Sequence, residues 1–482
     1  MKTDKLYRIF PWALFILGTL AYVSLIFNNN VWMDEAFTAS LVNTDMAGVI
    51  ARSMSDTLPP LYNIYLKIIT DILGYTVPVM KLASIIPMVL TMLLSVTVIR
   101  KRHGNLVSSL YTASLFAMPL MLHFGIEIRM YSLGFFFATA SGIYAYEVLY
   151  DSNRRNWIMF TVLSVLAGYS HHFAFVTVGA VYLYILLYYI IRDRAHIRRF
   201  FICLAATFVL YLPCLIVTLK QLSRVSGYFS MPDVTLSVFI NYMYYPYTVG
   251  LTPVSVLLML TVIALFVYCL VTILKNREEA SVHMYALFMF LIYYGVLIFG
   301  TAISKVMTAN IFVDRYLFFA TGLIWLFFCL MGNSLAESLR KIPGIIAYSV
   351  LLIFVLIIGI ISYRIEYRAE YDVNPDEMIS YLEENVSEND ALIVSGDTEA
   401  LIWCMLFYSP KLKLYNGIDD AMEGLTTGQY QNIWIAVDTA DSTLEEVLDA
   451  ATIKTEPVHI DDFSFDRYNM ELYRISGQTI KN

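Results

Sequence analysis

Stretches of about 20 consecutive apolar residues recur along most of this chain, the length an α-helix needs to cross ~30 Å of hydrocarbon. Backbone amides in lipid have no water to bond, so each run must satisfy its polar groups internally, as a helix. Roughly eleven spans are expected, at residues 9–27, 78–99, 106–123, 130–150, 157–170, 173–191, 200–219, 253–274, 284–304, 316–331 and 344–363. The first is no cleaved leader: it is long, and Asn28-Asn29-Asn30 follows it instead of a small-residue cleavage site. Hydrophobic residues make up 59% of the chain and charged ones 15%, against about 25% charged in a soluble protein. The five cysteines form no CxxC pair, so neither a disulfide framework nor a zinc site is indicated. Much of the basic charge sits in short clusters between apolar runs, and no basic face stands ready to neutralise nucleic-acid phosphates.

Those clusters set the orientation. With a cytoplasmic N-terminus, Arg100-Lys101-Arg102, Arg154-Arg155, residues 192–199, residues 275–277 and Arg340-Lys341 all fall on the inner side, as the positive-inside rule requires. The apolar segment Leu61–Leu73 is short and carries Lys67 and Asp71. Counting it as a span would turn every later basic loop outward, so it is expected to be an amphipathic helix on the outer surface.

The expected fold is therefore a polytopic α-helical membrane protein with a C-terminal extracytoplasmic α/β domain. Residues 1–363 form the membrane part, with a first outer loop at 28–77, and residues 364–482 form the soluble domain. In that domain helices are expected at Pro375–Asn385, Thr398–Tyr408 and 443–450, and strands at Ala391–Ser395, 412–415, 432–437 and 471–475. It has no Gly-rich phosphate loop and reads as a scaffold or acceptor-binding appendage.

Ionisable residues near membrane spans are costly and tend to be functional. Apart from the inner clusters they gather on the outer side: Asp34, Glu35, Asp56, Lys81, Glu127, Arg129, His171, His172, Arg224, Lys305, Asp314 and Arg315. Distant parts of the chain thus converge on one polar site. Asp34-Glu35 directly follows the first span; a carboxylate there serves either as a general base or as a solvated acid at a helix N-terminus. Asp56-Thr57-Leu58-Pro59-Pro60-Leu61-Tyr62 reads as a rigid helix entry, since proline is tolerated in a first turn. In Glu127-Ile128-Arg129-Met130-Tyr131 the arginine could fork onto a phosphate or snorkel to headgroups. His171 and His172, adjacent in an extended segment, point apart and make a poor metal pair; either could bond substrate or belong to an interfacial belt. Asp314-Arg315-Tyr316 opens a late span, where an arginine suits a lipid phosphate or an interfacial anchor.

The order of these motifs resembles the GT-C glycosyltransferases of the protein O-mannosyltransferase and aminoarabinose-transferase group, over about residues 1–335. In that family the first outer loop carries an Asp-Glu motif whose Asp is the base, matched here by Asp34 with Glu35 beside it. The family's Asp-x-His-Pro-Pro is similar to Asp56-Thr57-Leu58-Pro59-Pro60, with leucine in place of histidine. Lys81-Leu82 stands where the family often has Arg-Leu. The resemblance implies an inverting transfer from a polyprenyl-phosphate sugar to an acceptor hydroxyl at the extracytoplasmic face. Asp34 would take the acceptor proton, and Glu35 would orient a cation. The leaving phosphate departs ionised and needs positive charge rather than a general acid; Arg129 and Arg315 are the candidates, with Lys305 and Lys81 behind them. Asp56, Tyr62, Glu127, Tyr131, His171, His172 and Tyr316 are the expected substrate contacts. No cofactor motif is present, though Asp34, Glu35 and Asp56 could approach one divalent cation. The expected partners are the lipid-linked donor, membrane lipid and a protein, polymer or lipid acceptor, in a membrane expected to be the bacterial plasma membrane. The rival reading is a transporter, which would place polar sites at the bilayer midplane on broken helices.

Overall fold

The structure, a computed structural model, describes residues 2–476 except 195–196, 229–233, 276–280, 308–309, 396–397, 410–413, 416–417, 440–442, 451–456 and 466–467. Parts of the basic clusters at 192–199 and 275–277 therefore lie outside the described residues. Each of the eleven expected apolar runs falls on a helix. Among the described residues seven helical stretches are long and apolar enough to cross a membrane, and the chain is an integral membrane protein. Two expected runs, 78–99 and 106–123, belong to one such stretch, Val77–Ala117, which passes through a π-helical segment at Ser95–Ile99 and bends at Gly104, where φ is 87°.

The chain divides into two compact units. One comprises residues 1–26, 45–74 and 79–366; the other comprises 27–44, 75–78 and 367–482. Residues 27–44, expected with the membrane part, group with residues 367–482. Their attachment to the C-terminal domain is specific. The Tyr408 hydroxyl accepts from the Val31 amide and donates to the Asn29 carbonyl, both at 2.9 Å. Asn30 Nδ2 donates to the Glu370 carbonyl (2.7 Å), and Phe37 meets Trp403 edge-on at 5.2 Å.

In that domain β1 (Ala391–Ser395), β2 (Leu414–Tyr415), β3 (Asn432–Asp438), β4 (Val458–Phe465) and β5 (Tyr468–Ser476) form one mixed sheet in the order β2-β1-β3-β5-β4. β1 lies parallel to both β2 and β3, whereas β5 runs antiparallel to β3 and β4. β1 and β3 are apolar along almost their whole length because both faces are covered. Ile393, Ile433, Ile435 and Val437 pack with Ile418, Ala421 and Leu425 of the helix Ile418–Thr427. The expected helices Pro375–Asn385 and Thr398–Tyr408 and strand Ala391–Ser395 stand at those bounds, while residues 412–413 of the expected strand 412–415 lie outside the described residues. The helix Ile418–Thr427 and strand β4 were not expected: the first carries Gly424 and two threonines, the second an Asp461-Asp462 pair, and both compositions disguise their periodicity.

In the membrane unit the helix Leu61–Leu73 forms as expected. The helices Tyr131–Tyr150 and Phe318–Ser338 are packed through glycine. A β-carbon at Gly322 would overlap Thr139 Oγ1 and lie 2.9 Å from Phe135; one at Gly134 would lie 2.6 Å from Phe319; one at Gly142 would overlap Leu323. Lipid tails are as apolar as leucine, so helices associate in a membrane through this kind of close van der Waals contact. At the basic end Arg102 forks onto Glu147 with two bonds of 2.6 Å and reaches Asp151 at 2.8 Å. Gly322→Leu is expected to lower the unfolding midpoint of the detergent-purified protein by an overpacking cost of about 1–3 kcal/mol. Gly295→Ala, at a helical site where an added β-carbon meets nothing within 4 Å, should leave the midpoint unchanged or raise it.

Candidate active site

Two turns that start adjacent helices bring the arginines of the membrane unit together. The helix Arg100–Ala117 stops where Pro119 forces Met118 into an extended conformation. Leu120 then takes φ 70°, the only positive φ outside glycine among the described residues. The Tyr22 hydroxyl fastens this corner, bonding the Leu115 carbonyl at 2.8 Å and the Met121 carbonyl at 2.9 Å. After the short helix Met121–Ile126, the Arg129 amide closes a tight turn onto the Glu127 carbonyl (2.6 Å), and the helix Tyr131–Tyr150 begins. On the other side Asn310 Oδ1 accepts the Phe312 amide (3.1 Å) and Asp314 Oδ1 accepts the Arg315 amide (2.7 Å). The 3-10 turn Asp314–Leu317 feeds directly into the helix Phe318–Ser338.

Glycine packing of these two helices makes their starting turns neighbours. Tyr131 lies within electrostatic reach of Arg315, Glu127, Arg129 and Tyr316, and His171 within reach of Arg129 and Arg315. The His171 ring sits 4.7 Å from that of Tyr316 and 4.5 Å from that of Phe319. Glu127, Arg129 and His171 are buried. Two acids, Glu127 and Asp314, share this region with the two guanidinium groups, which holds the cluster near neutrality without substrate.

His171 caps the helix His172–Ile191: its Nδ1 accepts the Phe173 amide at 3.0 Å. A neutral imidazole accepting at Nδ1 carries its proton on Nε2, so His171 is a donor there. That buried Nε2 has no hydrogen-bond partner among the described residues. Burial, with His172, Arg129 and Arg315 adding like charge, holds the His171 imidazole well below its ordinary value, so it stays neutral. His172 instead donates from Nε2 to the Thr57 carbonyl (3.3 Å), and Gln221 Nε2 donates to the Leu58 carbonyl (2.9 Å). These bonds pin the Asp56–Pro60 loop to the helices.

An apolar cavity of about 370 Å³ opens beside the cluster. His171, His172, Gln221, Thr57, Tyr316 and Asn310 supply its polar lining, and Phe173, Phe175, Tyr211 and Phe299 its walls. Phe175 and Phe299 also wall a second cavity of about 560 Å³, along which Gly179 and Gly295 lie. An added β-carbon at either glycine would meet nothing within 4 Å, so both face open space.

The expected site residues thus separate. Glu127, Arg129, Tyr131, His171, Arg315 and Tyr316 are brought together, with His172 at the cavity. Tyr62 is buried and hydrogen-bonds Ser84 (2.7 Å), and Asp56 Oδ1 accepts the Thr57 amide (2.6 Å); neither lines the cavity. Lys81 is fully buried in the helix Val77–Leu94, and Lys305 is exposed in the last turn of Ser281–Val306. The side chain of Arg224 lies outside the described residues. Asp34 and Glu35 belong to the other compact unit. There Glu35 is buried, and its carboxylate accepts the Trp32 amide (3.1 Å) at the start of the helix Met33–Val42. Sequence reasoning missed Tyr245, which lies within reach of Asp314, Tyr131, Glu127 and Arg315. Burial pushes its phenol well above the ordinary value, so it offers a hydroxyl proton. The run Tyr242-Met243-Tyr244-Tyr245-Pro246-Tyr247 was the available signal. Among the described residues no group of three His, Cys, Asp or Glu is placed to hold a metal ion.

No protein-family profile and no curated sequence matches this chain. Solved structures do. ArnT from Cupriavidus metallidurans in the apo state superposes with a TM-score of 0.63 at 9% identity, over 97% of this chain and 98% of that one. The same protein bound to undecaprenyl phosphate gives 0.61 at 10% identity, over 96% and 97%. The chain therefore shares the fold of ArnT, the fold that its motif order led one to expect.

The neutral state of His171 carries a pH signature. Its value in the folded chain is depressed, so below about 6.5 the unfolded chain binds a proton that the folded chain refuses. The stability it contributes is complete above that pH and falls as pH drops, by up to about 1.4 kcal/mol per pH unit. Unfolding of detergent-purified protein between pH 7.5 and 5, values near the transition at about 6.5, should show this loss. His171→Asn, which keeps a capping acceptor but does not titrate, should lessen it.

Proposed function

We propose that this chain is a membrane glycosyltransferase that moves a sugar from a polyprenyl-phosphate donor to an acceptor hydroxyl at the extracytoplasmic face, with its N-terminus in the cytoplasm. One observation carries the reading: two arginines, one buried (Arg129) and one half-buried (Arg315), and a buried neutral histidine donor stand beside an apolar groove. A polyprenyl phosphate has the matching form, an anionic head and a long hydrocarbon tail. Arg129 and Arg315 meet the phosphate with charge-assisted bonds, His171 Nε2–H and the Tyr245 hydroxyl add neutral donors, and the tail follows the cavities walled by Phe175 and Phe299. The fold shared with ArnT, one of whose structures holds undecaprenyl phosphate, supports the same donor class.

In this reaction the acceptor oxygen attacks the anomeric carbon. The bond from that carbon to the phosphate oxygen breaks, and its electron pair leaves on the phosphate, with inversion. The acceptor proton passes to Asp34, the carboxylate that the motif resemblance assigns as base. Glu35 accepts the Trp32 amide at its own helix start, and the same motif resemblance assigns it the orienting of a cation. The arginines stabilise the charge gathering on the leaving oxygen, and water-poor surroundings strengthen that effect. The basic loops assign the inner side, and the motif-bearing turns lie at the opposite ends of the same helices.

Turnover of one member of a panel of polyprenyl-phosphate sugars by purified protein tests the class. Asp34→Asn should slow it by about 10²-fold or more with donor affinity intact, and Arg315→Ala should weaken donor binding by roughly 10- to 100-fold. Full activity in Asp34→Asn would remove the base. Failure of the native chain to bind or turn over any donor would favour the transporter, with solute flux in proteoliposomes as the next assay. The tail assignment has its own check. Gly295→Phe places a ring in the second cavity, where an added β-carbon meets nothing within 4 Å, so it should impair long-chain donors while sparing those with two or three isoprene units. Equal impairment of both would place the tail elsewhere.

A further inference from the structure

At the other end of the membrane unit, among the basic loops, a third cavity of about 660 Å³ lies between the N-terminal helix, the helix Arg100–Ala117 and the two helices joined at Leu339-Arg340. Its walls are Phe10, Leu106, Leu339, Ile345 and Leu352, of which Leu339 and Ile345 are exposed toward the surroundings. Its mouth carries Glu337 and Lys341. Glu337 accepts a bond from Asn333 Nδ2 (2.9 Å), yet among the described residues neither charge forms an ion pair within 4 Å. Two opposite charges that line one cavity without meeting leave room for a ligand bearing both signs. A third observation points the same way. Asn333 is only 8% exposed and lines the cavity, and its Oδ1 has no hydrogen-bond partner among the described residues. Lys341 is also the first residue of a 31-residue helix, whose positive end adds to its attraction for an anion.

We propose that this cavity binds one zwitterionic phospholipid with a primary ammonium group. The phosphate meets Lys341 and the helix start, the ammonium is received by Glu337 and Asn333 Oδ1, and one acyl chain lies along Phe10, Leu106, Ile345 and Leu352. An anionic glycerol headgroup would satisfy Lys341 but leave Glu337 facing a second negative charge. A polyprenyl phosphate carries no ammonium for the acidic side. The Tyr348 hydroxyl, bonded to the Leu106 carbonyl (2.9 Å), keeps the two walls in register.

The test uses the full-length purified protein, exposed to equal amounts of phosphatidylethanolamine and phosphatidylglycerol, with retained lipid counted by native mass spectrometry. The native chain should favour phosphatidylethanolamine by about fivefold or more, the ratio expected of an added charge-assisted bond. Glu337→Gln should bring that ratio close to one, and Lys341→Gln should weaken retention of both lipids. Both residues are exposed, so unchanged unfolding midpoints would show that folding is intact. Equal retention of the two lipids by the native chain, or an unaltered preference in Glu337→Gln, would overturn the assignment.

Discussion

The close approach of the helices Tyr131–Tyr150 and Phe318–Ser338 governs what the rest of the membrane unit can do. Three glycines permit it, and a methyl group at any of them would collide with the partner helix. In water such a pair would be driven together by burial of apolar surface. In lipid that drive is absent, and association depends on how many atoms reach van der Waals contact. Because the two helices run together from their first turns, the arginine placed just before one and the arginine at the start of the other share a neighbourhood. Four charged groups and a histidine can be held there only because each is near an opposite charge, a helix end or a tyrosine hydroxyl.

The electrostatic character of this neighbourhood follows from desolvation. A buried imidazole beside two guanidinium groups does not take a proton, and its committed Nδ1 turns Nε2 into a fixed donor. Buried tyrosines keep their hydroxyl protons for the same reason. On the proposed reading, these donors and cations are the groups that meet the donor phosphate. The adjoining groove is walled by Phe173, Phe175, Tyr211 and Phe299, with its polar groups gathered toward the cluster. On the proposed reading the combination favours an anion attached to hydrocarbon over a small soluble one.

Much of the architecture could be read from periodicity. The amphipathic Leu61–Leu73 stood out because its apolar face is interrupted by Lys67 and Asp71, and the basic loops made its exclusion from the spans self-consistent. The C-terminal strands Ala391–Ser395 and Asn432–Asp438 were legible as short apolar runs flanked by polar turns. The edge strand Val458–Phe465 was not, because an edge tolerates the acidic residues that obscure alternation. Tyr245 escaped notice because tyrosine is common at membrane interfaces, and only burial beside Asp314 and Arg315 distinguishes it. Tyr62, in a motif-rich segment, is buried and bonded to Ser84, a partner that no spacing in the sequence names.

By itself the sequence determined that this chain lives in a membrane, which loops are basic, that an α/β segment follows the last apolar run, and which motifs carry charge at helix starts. These are properties of local composition and spacing, and lipid makes them decisive because a backbone in hydrocarbon has no alternative to the helix. Only the tertiary structure decided which charged turns are neighbours. Proximity between residues nearly 190 positions apart, such as Arg129 and Arg315, depends on helix pairing, and pairing depends on atomic fit at glycines whose partners no periodicity names. The same holds for Asp34 and Glu35. Their place in the compact unit formed with residues 367–482 rests on bonds from Tyr408 and a ring contact with Trp403, contacts made across more than 360 residues of chain.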